Sequence, residues 1–188
     1  MEQRTSGTAS AEPFPNQSEP HKRTGFREVD KGELMKVLSI WNPYAILLVN
    51  GFKMNETRPF PCPPAIVGQR LYIASTKVIT PAQRLVFAQE QFQEYYRQTG
   101  LPDKLEDMPN GCLLGSVLIH SSDIITEEDI EDTTEEELLY GDYKPGRYCW
   151  RTRDPEVLDE PVPVRGQQGI WNLNAATVLP FRPVEQKR

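Results

Sequence analysis

Gly51-Phe52-Lys53-Met54-Asn55-Glu56-Thr57-Arg58 sets a lysine, a glutamate and an arginine in one short stretch behind a glycine. Side chains of an extended segment alternate, so Glu56 and Arg58 fall on one face about 7 Å apart and Thr57 faces the other way. Lys53 reaches the same place only if a turn or bulge after Gly51 re-aims it. Such a trio offers a carboxylate that moves protons, an ammonium that stabilises anionic charge and a guanidinium that holds a phosphate or oxyanion. The same groups equally make a structural ion-pair knot.

Working outward, Asn42 to Gly51 reads as a short buried helix, with Asn42 as cap, Pro43 at the first helical position and Gly51 as the left-handed stop. Before it, Lys36 to Ile40 is a β-branched, apolar core strand. After Arg58 the prolines at 59, 61, 63 and 64 force a loop, and Gln69 to Ser75 is the next strand. Thr80-Pro81-Ala82-Gln83 opens a capped helix with an apolar stripe of Leu85, Ala88, Phe92 and Tyr95 or Tyr96, stopped by Gly100 and Pro102. Cys112 to His120, Arg147 to Arg153, Pro161 to Arg165 and Gly169 to Leu173 are further extended pieces. Short strands with turn signals, interrupted by two or three helices, predict an α+β fold with a small, partly closed mixed β-barrel.

At 188 residues the chain has room for one ordinary core. We expect a domain over 35–175, a flexible arm over 1–34, whose polar composition buries too little to offset its ordering entropy, and a tail over 176–188. No apolar run approaches the roughly 20 residues that span a bilayer, and the first 30 residues lack a signal-peptide core, so a cytoplasmic monomer is expected. Cys62, Cys112 and Cys149 are odd in number and widely spaced, which predicts reduced, partly buried thiols and neither a disulfide framework nor a metal site. The net charge of -6 opposes a nucleic-acid partner at first sight. Yet residues 127 to 137 hold eight acids and no base, so the rest of the chain has an excess of two positive charges and room for a basic face. The Thr126/Asp129 and Thr134/Glu137 spacings predict two capped helical turns there, solvent-facing or serving a protein partner.

Three segments in order resemble the ASCH family, a branch of the PUA-like RNA-binding superfamily. Ser39-Ile40-Trp41-Asn42-Pro43-Tyr44-Ala45 is similar to its strand-to-helix signature, with Asn42 where glutamine is usual. Residues 51 to 58 match its G-x-K-x-x-E-x-R line at all four named positions. Gly146 to Trp150, Pro161 to Gly166 and Gly169 to Trp171 resemble its closing strands. The resemblance implies a cleft floored by the Lys-Glu-Arg segment and suited to a nucleotide or nucleic-acid strand, with no cofactor. Some relatives are ribonucleases or hydrolyse an acetylated cytidine. Those amidohydrolases carry a nucleophilic threonine three positions after the lysine, where this chain has Glu56. Many relatives also carry a histidine in the next strand, and Leu71 to Ser75 has none.

The leading expectation is therefore an RNA- or modified-nucleotide-binding module with its cleft at Lys53, Glu56 and Arg58. The alternatives are a metal-independent hydrolase using Lys53 and Glu56 catalytically, and an adaptor working through residues 127 to 137. Asn42, Ser75, Lys77, Gln168 and Trp171 are hydrogen-bonding or stacking candidates. Trp41, Tyr44 and Trp150 are further aromatic candidates, and Arg70, Arg147, Arg151 and Arg165 further phosphate candidates. His120 is read as a surface histidine.

Overall fold

The computed structural model describes residues 34–177. Strands β1 (Leu34–Ile40), β2 (Asn55–Arg58), β3 (Arg70–Ser75), β4 (Cys112–Ile124), β5 (Tyr148–Pro163) and β6 (Ile170–Asn174) form one sheet in the order β2-β5-β4-β3-β1-β6. β1 and β3 run parallel and the other neighbours antiparallel, so the sheet is mixed. The edge strands β2 and β6 do not pair with each other, which leaves it only partly closed. Five short helices accompany it: α1 (Tyr44–Val49), α2 (Pro81–Phe87), α3 (Glu90–Tyr96), α4 (Glu127–Glu131) and α5 (Glu135–Leu139). This is the α+β architecture expected, with more and shorter helices. The arm and most of the tail fall outside the described residues, although Leu34 already belongs to β1 and Ala175–Thr177 form a 3-10 turn.

Two departures have clear causes. The helix expected to run from Pro81 to Gly100 breaks at Ala88 and Gln89, where Gln89 is extended and the Gln93 side chain donates to Phe87 O at 2.6 Å. In one continuous helix Phe87 and Phe92 would point about 140° apart. The break turns both inward, with ring centroids 6.0 Å apart, while Leu85 of the expected stripe is left in solvent. The second departure joins Arg147 to Arg153 with Pro161 to Arg165 in the single strand β5, which carries Pro155, Pro161 and Pro163. β2 covers β5 only from Tyr148 to Arg151, so most of the strand lies open on that side and tolerates residues without an N–H. Gly115 permits the close approach of β4 and β5, because a Cβ there would stand 2.1 Å from Glu156 O.

The sheet buries side chains on both faces. The larger cluster holds α1 together with Leu71, Ile73, Phe92, Tyr96, Tyr140 and Trp150; the smaller gathers Met35, Val37, Ala74, Leu113, Trp171 and Ala175. The three cysteines are free thiols as expected, Cys62 and Cys149 buried and Cys112 partly so. No helix among the described residues is long and apolar enough to cross a membrane.

Candidate functional site

The turn after α1 decides where Lys53 points. Gly51 adopts φ 73°, and the amides of Phe52 and Lys53 both donate to Leu47 O, at 3.0 and 3.2 Å. The chain thereby folds back on its own helix, and the Lys53 ammonium comes to lie 5.8 Å from the Tyr44 ring centroid, within cation–π range. Lys53 Nζ donates to Tyr140 O at 2.6 Å and stands 3.9 Å from Glu56 Oε2. Glu56 Oε1 is 2.9 Å from Arg58 Nε. That contact is one of charge alone, since the Nε–H is not aimed at the oxygen and forms no hydrogen bond. Lys53, Glu56 and Arg58 are thus together, as alternation in β2 and the re-aiming turn require.

Accessibility is graded across the trio: side-chain exposure is 2% for Lys53, 10% for Glu56 and 26% for Arg58. A charge removed from water is tolerated only when paired and hydrogen-bonded, so Lys53 depends on Tyr140 and Glu56. The Tyr44 hydroxyl is pushed above its ordinary pKa by burial and, after that, by the negative charges of Glu56 and Asp142. It stays a neutral donor at physiological pH.

Residues 137 to 147 hold this segment in place. Glu137 is buried, and its carboxylate accepts from Met54 N at 2.7 Å, Asn55 N at 3.0 Å and the Tyr143 hydroxyl at 2.6 Å. Asp142 N donates to Thr57 Oγ1 at 2.9 Å, and Asn55 Nδ2 donates to the Tyr143 hydroxyl at 3.2 Å. The capped turns expected from Thr126 and Thr134 are present as α4 and α5. Their face is not wholly solvated, however. Glu137 turns inward because consecutive amides at the start of β2 need an acceptor, and Leu139 and Tyr140 after it pack into the larger cluster. A glutamate at the third position of a capped helix ordinarily reads as a solvated cap. The apolar run directly after it is the only local sign of another role.

The expected basic face is largely neutralised. Arg70 pairs with Glu156 at 2.8 Å, Arg147 with Asp142 at 3.4 Å, and Arg151 with both Asp123 and Asp129, at 3.1 and 3.0 Å. Asp129 belongs to α4, so the acidic segment itself cancels one of the arginines. Lys77 and Arg165 are exposed and have no acidic partner among the described residues.

The remaining candidates separate. Asn42 does not cap α1: it is fully buried, and its Nδ2 donates to Pro109 O and Asn110 Oδ1, both at 3.1 Å. Its amide serves the loop before β4 instead, and its own carbonyl accepts from Gln83 Nε2 at 3.0 Å. Ser75 shares that loop, donating to Pro109 O at 2.6 Å. Gln168 is exposed before β6, and Trp171 packs in the smaller cluster with its Nε1 donating to Ser39 Oγ at 3.1 Å. Trp150 is core and donates to Phe60 O at 3.1 Å, while Trp41 is 40% exposed. His120 is exposed. No group of acidic, histidine and cysteine side chains suited to a metal ion occurs among the described residues.

No family model and no curated protein matches the chain. Among solved structures it is similar to ASCH from Zymomonas mobilis, at 18% identity over 71% of this chain and 75% of that one, with a TM-score of 0.43. Two variants of that protein, one with a tyrosine changed to phenylalanine and one with a serine changed to alanine, match at 16% identity over 76% of this chain and 91% and 89% of theirs, each with a TM-score of 0.46. All three of these are structures of one ASCH protein or its variants.

Proposed function

We propose that the protein is a PUA-like module that binds RNA or a modified nucleotide at Lys53, Glu56 and Arg58. One observation carries the reading: two cations surround one nearly buried carboxylate, and the surplus positive charge emerges at Arg58, the most accessible of the three. An anion is the ligand that such a site lacks, and the exposed part of the Arg58 guanidinium is suited to a phosphate. Tyr44, half-buried with Lys53 Nζ over its ring, carries a neutral hydroxyl close to the trio. The motif resemblance at residues 51 to 58 points the same way.

The test is a titration of labelled single-stranded RNA, and separately of a pool of modified nucleosides and nucleotides, against the wild type and Arg58→Gln. Binding that weakens with salt and is reduced about tenfold in the variant is the expected result. Equal affinity of the two proteins, or none, overturns it. Lys53 and Glu56 stand close enough to act as an acid–base pair, so the same mixtures are followed by mass spectrometry with EDTA present. Product that disappears in Glu56→Gln while binding persists would make the site that of a metal-independent hydrolase.

A further inference from the structure

Once the paired cations and buried rings are set aside, few of the exposed candidate groups remain, and two of them lie side by side. Ile40 and Ser75 are partners in the parallel β1/β3 ladder, and Thr76 N still donates to Ile40 O at 3.0 Å. Trp41 and Thr76 therefore leave the sheet as neighbours, on strands about 4.8 Å apart. Lys77 follows, exposed and without an acidic partner among the described residues. Val78, the next residue, is 71% exposed, and α2 is tied to this end of the sheet by the bond from Gln83 to Asn42 O. An aromatic ring, an aliphatic side chain and a cation thus leave the ends of the parallel pair together. Two polar atoms in the flanking residues, Asn42 Oδ1 and Thr76 Oγ1, are buried without a hydrogen-bond partner among the described residues, which folded proteins seldom leave so.

This end also adjoins the Lys53 site. Ala45 N donates to Trp41 O at 2.9 Å across the turn at Asn42 and Pro43, which keeps Trp41 and Tyr44 close along the backbone. The Tyr44 ring lies in turn 5.8 Å from Lys53 Nζ. We propose that the ends of β1 and β3 form a second subsite, in which the base neighbouring the nucleotide at Lys53, Glu56 and Arg58 stacks on Trp41 and its phosphate meets Lys77. The inference rests on the nucleotide-binding reading and extends it from a single nucleotide to a strand. Stacking on an exposed ring accepts any base, so the subsite contributes affinity and strand length and no sequence preference.

The probe is a short single-stranded RNA of random sequence, compared with nucleoside monophosphates. Trp150 and Trp171 are buried, so quenching of tryptophan fluorescence by RNA is expected to come from Trp41 and to vanish in Trp41→Phe. Trp41→Ala should bind RNA about tenfold more weakly and leave mononucleotide affinity within twofold. Lys77→Gln should lower the salt dependence of RNA binding by about one counterion. Wild-type affinity and salt slope in both Trp41→Ala and Lys77→Gln, with RNA binding still lost in Arg58→Gln, would overturn the subsite and leave the nucleotide site standing. An unchanged slope and an unquenched wild type would do the same. Wild-type protein that binds no RNA at all overturns both.

Discussion

β2 and β6 are the two edges of one sheet and are built on different principles. β6 is held by a regular ladder to β1, with Trp171 buried over Val37 and Ala74 and bonded to Ser39. β2 is only four residues long and carries Glu56 and Thr57 buried at its centre. It stays ordered because Glu137, Tyr140 and Asp142, more than 80 residues away, supply acceptors and donors to Lys53, Met54, Asn55 and Thr57. An edge made of apolar packing serves stability. An edge made of buried charge sacrifices some stability to keep a reactive or anion-binding group in place.

Substitutions should separate the two edges. Trp171→Ala is expected to have the largest effect on stability, about 4 kcal/mol by urea unfolding, with RNA affinity of the folded fraction unchanged. A loss of affinity in that variant would place ligand at the β6 edge and break the contrast. Glu137→Ala strands two backbone amides and the Tyr143 hydroxyl, and should cost about 3 kcal/mol. Unlike Trp171→Ala it should also weaken RNA binding and speed hydrogen exchange at the Met54 and Asn55 amides. Lys53→Met should cost about 2 kcal/mol, because it leaves Tyr140 O without its donor and Glu56 with Arg58 as its remaining cation, and should abolish RNA binding. A large loss of stability in Lys53→Met would favour the ion-pair knot over a binding site.

The smallest effect concerns pH. Burial pushes the thiols of Cys62 and Cys149 up to about 11, above their ordinary 9.0, and both lie on the β2 side, Cys149 being the ladder partner of Thr57. The folded protein then keeps protons that the unfolded chain releases, so this contribution to stability is fully present below about pH 9 and is lost as pH rises towards 11. Cys149→Ala should flatten that alkaline decline in a thermal-melting series, and any equivalent flattening from a substitution on β6 would contradict the assignment.

Much of this was legible in the chain. The strands at 36–40, 69–75 and 169–173 emerged within a residue or two of their observed bounds, because a β-branched apolar run between turn residues has few other uses. The cap at Thr80, the turns at Thr126 and Thr134, and the meeting of Glu56 with Arg58 follow from periodicities of 3.6 and 2 that any reader of the sequence can apply. The break at Ala88 was not legible, since it exists to bring Phe87 and Phe92 into one core. Nor was the fate of Arg70 and Arg151, which are cancelled by carboxylates remote in sequence. Asn42 shows both sides: its place before Pro43 marked the start of a helix correctly, while its side chain went to Pro109 and Asn110.

By itself the sequence determined most of the strands and the helix starts, that the charged line from Lys53 to Arg58 lies on a short strand behind a turn, and that Glu56 and Arg58 share a face. Those are local matters, governed by backbone sterics and side-chain alternation over a few residues. Only the tertiary structure decided that Lys53 is buried, that Glu137 is the acceptor organising β2, that Arg151 is paired with Asp123 and Asp129, and that Trp41 keeps its exposure while Trp171 does not. Burial and charge pairing depend on which distant residues arrive at the same place, and no local periodicity encodes that arrival.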